Sequence, residues 1–136
     1  DAAMKRALPW LRTIISFPLG VIAVGIFHKF SEYLLPRLYS SDLSNDPDRL
    51  AMLVLTVLAG IFASFVVAAA AQHRLWLHMG IFLVVMIAMD LPAVLGYLSP
   101  QPLWFKALIM LTLPLQAWLG GLMARIVFRK AYGSAA

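Results

Sequence analysis

The chain of 136 residues contains no cysteine, and only 12% of it is Asp, Glu, Lys or Arg. Without cysteine there is no disulfide, no thiol nucleophile and no thiolate-bound zinc or iron–sulfur centre. Catalytic patterns are missing as well. No serine has a base and an orienting acid near it in sequence, no paired carboxylates lie in an apolar run, and no Gly-rich phosphate loop follows a strand. We therefore expect a noncatalytic protein with no cofactor and no metal. The charge share is about half that of an ordinary soluble domain. What fills the sequence instead is apolar: 62% of the side chains are hydrophobic, and the mean hydropathy is +0.87. Such a chain belongs in lipid.

The net charge of +5 does not point to nucleic acid. The cations sit at the ends of greasy segments and not on an aromatic-studded basic face, which is the pattern of a membrane protein's flanks. We expect the lipid bilayer as the main partner and no nucleic acid.

Four apolar runs are long enough to cross the hydrocarbon core, which takes about 20 helical residues. They cover approximately residues 10–30, 50–71, 75–98 and 103–128. The fold class expected is all-α, a polytopic membrane protein whose four transmembrane helices form one antiparallel bundle over residues 4–132. Asp1 to Ala3 ahead of Met4, and Gly133 to Ala136, read as cloning remnants. Lys5 and Arg6 before the first run, with Ala23-Val24-Gly25 inside it, weakly resemble a secretory leader, but we read the run as a retained span. Pro18 should kink it or leave a carbonyl free.

Residues 31–49 form the one long polar connection. Tyr33, Leu34, Leu35, Leu38 and Tyr39 suggest a piece lying in the interface before a true loop. Asp46 is placed as an N-cap, with Pro47 as first helical residue and Asp48 in the first turn. Asp42, Asp46 and Asp48 lack the Gly and terminal Glu of a calcium loop and read as solvation and capping. Lys5, Arg6, Arg12, Arg74, Arg125, Arg129 and Lys130 gather at one end of the spans, against Lys29, Arg37, Arg49 and Lys106 at the other. The positive-inside rule then puts both termini in the cytoplasm. Trp10 and Trp76 would belt the inner interface, and Tyr33, Tyr39, Tyr97 and Trp104 the outer one.

In span 2, Gly60, Ser64 and Ala68 recur every fourth residue and make a small-residue stripe for close helix packing,. Gly120 and Gly121 offer the same in span 4. Because only Gln72 to Arg74 separate spans 2 and 3, these are expected to be the tightest antiparallel pair.

The candidate functional residues are a polar layer. Arg12 to His28 and Arg74 to Asp90 both measure 16 residues, or about 24 Å of helix rise, so His28 and Asp90 should share a depth. Lys29, Glu32 and Lys106 lie near it. A carboxyl group in hydrocarbon is costly and marks either a proton or ion site or a polar pin between helices. Asp90 should therefore have a polar atom of span 1 or span 4 within hydrogen-bonding distance. Thr112 and Gln116, one turn apart, should bond a neighbouring helix. His73 and His78 are five residues apart, about 140° around a helix, and by that geometry do not share a metal. Met86 and Met89 read as packing rather than soft ligands.

Pro114, Trp118, Gly120 and Gly121, followed by Ala124-Arg125, with Pro102 and Trp104 opening the segment, resemble the last span of small uncharacterised bacterial four-helix membrane proteins. In that type span 2 likewise ends in small residues and a short basic turn. The resemblance implies a bacterial inner-membrane protein and brings no activity with it. The function expected is that of an interaction, accessory or assembly subunit, partnered by another membrane protein or a homo-oligomer. The alternative is an oligomeric transporter or channel using the polar layer around Asp90.

Overall fold

The computed structural model describes Asp1 to Gly133. Ser134 to Ala136, part of the tail read as a remnant, lie outside the described residues. Four spans long and apolar enough to cross a bilayer pack against one another, and no strand occurs among the described residues. They are α1 (Ala2–Leu34), α3 (Asp46–Ala71), α4 (Leu75–Leu95), and α5 (Leu103–Leu111) continued by α6 (Leu113–Val127). Short helices α2 (Pro36–Tyr39) and α7 (Arg129–Tyr132) follow α1 and α6. Successive spans reverse direction, so both termini and residues 72–74 share one end of the bundle, the termini end. Residues 40–45 and 96–102 share the other, the long-loop end.

A wide belt of large apolar side chains faces outward, including Ile22, Val84 and Leu111, the last of these 73% exposed. In water such a surface would drive aggregation, whereas acyl chains accept it. Inside lipid there is no hydrophobic force to press helices together, so close van der Waals fit decides which helices pair. This overturns the expected pairing of spans 2 and 3. Helix α3 packs mainly on α1 and α6 and much less on α4. The short turn ties α3 to α4 at one end only. Along its length α4 turns Leu75, Met79, Phe82 and Met86 inward, and such bulk keeps backbones apart. The stripe Gly60, Ser64 and Ala68 is buried inside the bundle, with Gly60 and Ser64 against α6. A Cβ on Gly120 would lie 2.8 Å from the Phe65 nitrogen of α3, and one on Gly121 would lie 2.8 Å from Met79 Cγ of α4. On the other flank, a Cβ on Gly20 would lie 2.8 Å from the Phe82 ring, so α1 also needs a bare backbone there.

Several boundaries differ from the sequence reading. Helix α1 extends from Ala2 to Leu34, beyond the expected 10–30, and takes in Pro9 and Pro18. Asn45, not Asp46, caps α3: its side chain accepts from Asp48 N at 2.9 Å and donates to Asp48 Oδ2 at 3.0 Å, a reciprocal cap,. Helix α4 stops at Leu95, because Gly96 N and Leu98 N turn back to the carbonyls of Pro92 and Ala93. The last span is interrupted at Thr112, where Pro114 has no N–H to continue the ladder,.

Residues 40–45 are more than a solvated loop. Leu43, at a positive φ of 55°, packs into a small core with Leu53, Phe105 and Ile109. Asp48 accepts from Ser41 at 2.9 Å and pairs with Arg37 at 3.7 Å, and Asp46 pairs with Arg49 at 2.8 Å. The Ser44 hydroxyl and N–H hold the Asp42 carboxyl below the usual range. All three carboxylates therefore have partners in the protein.

At the termini end, Gln72 and Arg74 take left-handed conformations (φ 54° and 43°), which lets the chain reverse within three residues. Side chains reinforce the end of α3. Ala68 O accepts from Gln72 N–H at 3.1 Å and also from the Tyr132 phenol, and Arg12 Nη1 donates to Ala70 O at 3.4 Å,.

Candidate functional site

A cavity of about 330 Å³ opens between α1, α3, α4 and α6 in the long-loop half of the bundle. Its walls are mainly apolar, with Val24, Met52, Leu55, Met86 and Met89 among them. Six polar side chains reach it: His28 (α1), Tyr39 (α2), Thr56 (α3), Asp90 (α4), Tyr97 just after α4, and Gln116 (α6). Such a mostly greasy hollow with a few convergent polar groups is the form ligand sites take.

Each polar group is held by local geometry. His28 meets the Tyr39 ring edge-on, with centroids 4.9 Å apart, because α2 folds back across the end of α1. Thr56 Oγ1 donates to Met52 O at 2.9 Å. Gln116, fully buried, donates from Nε2 to Thr112 Oγ1 at 3.1 Å, and Thr112 Oγ1 donates back to Leu108 O at 2.6 Å. The expected bond from Thr112 and Gln116 to a neighbouring helix is not formed; they bond to each other within the last span. Asp90 is half-buried and has no hydrogen-bond or ion-pair partner among the described residues. It lines the cavity, and neither of its oxygens is a sealed, unsatisfied polar atom. The expected contact from span 1 or span 4 is absent.

The proposed layer of five residues is divided. Asp90 and His28 line the same cavity, in keeping with their matched distances from Arg74 and Arg12. Lys29 is one residue, hence about 100°, further round α1. There it pairs with Glu32 at 3.2 Å on the exposed surface. Lys106 Nζ donates to Ser99 O at 3.0 Å, tying down the start of α5. Of the residues read as an aromatic belt, Tyr33 and Tyr97 are strongly exposed, whereas Tyr39 turns inward to the cavity. Sequence reasoning missed Tyr39 and Thr56 as lining residues. Thr56 carried a signal, since it lies one turn before Gly60 on the face of the small-residue stripe.

Above the cavity, polar contacts knit the loops together. Arg49 Nε donates to Gln101 Oε1 at 3.1 Å, and Gln101 Nε2 donates to Asp42 O at 3.3 Å. Toward the termini end the hollow stops at a packed layer containing Phe82, Leu113 and Ala117. The chain matches no protein family, no curated protein and no solved structure.

Proposed function

We propose that this is a small noncatalytic membrane protein, an accessory or assembly subunit that holds another membrane component through the cavity around Asp90. The observation that carries this reading is a carboxyl group kept in an apolar span, lining a hollow and bonded to nothing among the described residues. Intramembrane acids are costly and by default mark a working site. A group with hydrogen-bond donors or positive charge, presented by a partner helix, would satisfy it. The packed layer beneath the cavity supports binding over conduction, because a path through one bundle would have to cross it. By the asymmetry of Lys and Arg, both termini lie in the cytoplasm. The resemblance of the last span favours a bacterial inner membrane.

The test combines two measurements on the full chain. A photo-crosslinking residue in place of Tyr97, at the cavity rim, should give one discrete adduct in native membranes, lost on Asp90→Asn. Liposomes containing the purified protein should show no Asp90-dependent proton or cation flux. A ring-shaped oligomer with flux abolished by Asp90→Asn would overturn the accessory reading in favour of the transporter, for which the shared placement of His28 and Asp90 is the supporting feature.

A further inference from the structure

At the opposite end of the bundle, His73 and His78 are brought together, contrary to the helical-wheel argument. That argument assumed both residues lie on one helix. His73 instead lies in the turn between two left-handed residues, Gln72 and Arg74, so its ring swings back over α4. The two imidazoles meet edge-on with centroids 4.8 Å apart. Both Nε2 atoms point at one hydroxyl: Thr13 Oγ1 lies 3.2 Å from His73 Nε2 and 3.0 Å from His78 Nε2.

The opposite ring nitrogens fix the tautomers. His73 Nδ1 lies 2.8 Å from Ala71 O, and His78 Nδ1 lies 3.0 Å from Arg74 O. A carbonyl only accepts, so both Nδ1 atoms carry hydrogens, and in the neutral form each ring turns a bare Nε2 lone pair toward Thr13. Thr13 has a single hydroxyl hydrogen, and Pro9 O, at 3.1 Å, also competes for it. At least one Nε2 lone pair therefore faces oxygen with no hydrogen between. Two imidazoles braced at Nδ1 by backbone carbonyls, with converging bare Nε2 atoms, are the arrangement of metal-bound histidines.

We propose that His73 and His78 bind one transition-metal ion through their Nε2 atoms, with Thr13 Oγ1 beside it. The ion would enter from a groove of about 450 Å³ whose walls include Trp10 and Leu77. Among the described residues no carboxylate lines that groove, and Arg74 does. The donor set therefore rejects calcium and magnesium, which need oxygen ligands, and suits the imidazole-preferring ions zinc, copper and nickel. Two protein nitrogens leave further positions for water, so the ion is exchangeable rather than a structural staple. Protons compete for the same lone pairs, and acid weakens the site.

The experiment uses the full chain in detergent, with any purification tag removed. Zinc is titrated by calorimetry, and copper(II) is followed by electron paramagnetic resonance. One ion per chain is expected, with a copper spectrum split by two nitrogens. His73→Gln, in the half-buried turn, should leave one coupled nitrogen and weaken zinc by about tenfold or more. His78→Gln should do the same, and since that ring is buried, unchanged helicity is the check that the variant folds. Thr13→Ser should retain binding. Absence of saturable zinc binding in the micromolar range, or binding unchanged by both histidine variants, would overturn the proposal. So would proton uptake by the pair with no metal response, which would make it a proton site only.

Discussion

A Cβ added to Gly120 would sit 2.6 Å from the Ile61 carbonyl oxygen. That oxygen is backbone, and Phe65 N is nearly as close, so neither can move without parting α3 from α6. Gly120→Ala should destabilise the protein by about 1–3 kcal/mol, the usual penalty for overpacking. At Gly60 the added atom would overlap the Gln116 side-chain amide. That amide can swing into the adjoining cavity, so Gly60→Ala should lower the melting temperature in detergent by clearly less than Gly120→Ala. Equal losses would mean the α3–α6 contact yields as a whole.

Among the described residues Asp90 has no partner to lose. Asp90→Leu should therefore leave the isolated protein as stable or more stable, because it removes a carboxyl that costs up to about 2.5–3.5 kcal/mol in the middle of a bilayer. Asp90→Asn should be close to neutral. A large loss with either variant, of the about 3–5 kcal/mol seen when a buried pair is broken, would point to a charged partner inside the bundle. Thermal unfolding of the three proteins in one detergent decides it.

Tyr132 predicts an alkaline limit. Burial pushes its phenol above the ordinary value of 10.0, and only the neutral phenol can donate to Ala68 O. The folded state thus holds this proton more tightly than the unfolded chain does. The stability it confers is complete below the unfolded pKa and is lost as pH rises through the higher folded value. Melting temperatures measured from about pH 8 upward should fall more steeply in the wild type than in Tyr132→Phe beyond about pH 10. At neutral pH that variant should be weaker by about 1 kcal/mol, the worth of one hydrogen bond.

Topology reporters give a separate check on the charge asymmetry. A reporter fused after Lys130 should be active as a cytoplasmic protein, and one inserted near Ser44 as an external one. The reverse pattern would invert the assignment of both ends.

The four spans were legible in the sequence because lipid imposes a constraint that is local in the chain. A segment crossing hydrocarbon must be apolar over about 20 residues and must satisfy its backbone within itself. The small-residue stripe of α3 was legible for the same reason, and rise per residue was enough to suggest that His28 and Asp90 belong together; both line one cavity. The cap on α3 was written as Asn45 with Asp48, and the reading fell one residue late. What the sequence left open was everything that depends on rotation and partner choice. Which helix α3 would embrace was decided by the bulk of Phe82 and Met86 on α4 and the bareness of Gly120 on α6, and turn length said nothing about either. Lys29 and Glu32 left the polar layer because a single residue's step carried Lys29 around the helix. His73 joined His78 because the turn left helical geometry altogether. Periodicity along the chain fixed the elements and their depth, and only the tertiary structure fixed their azimuth, because rotation about a helix axis is set by contacts between side chains far apart in sequence.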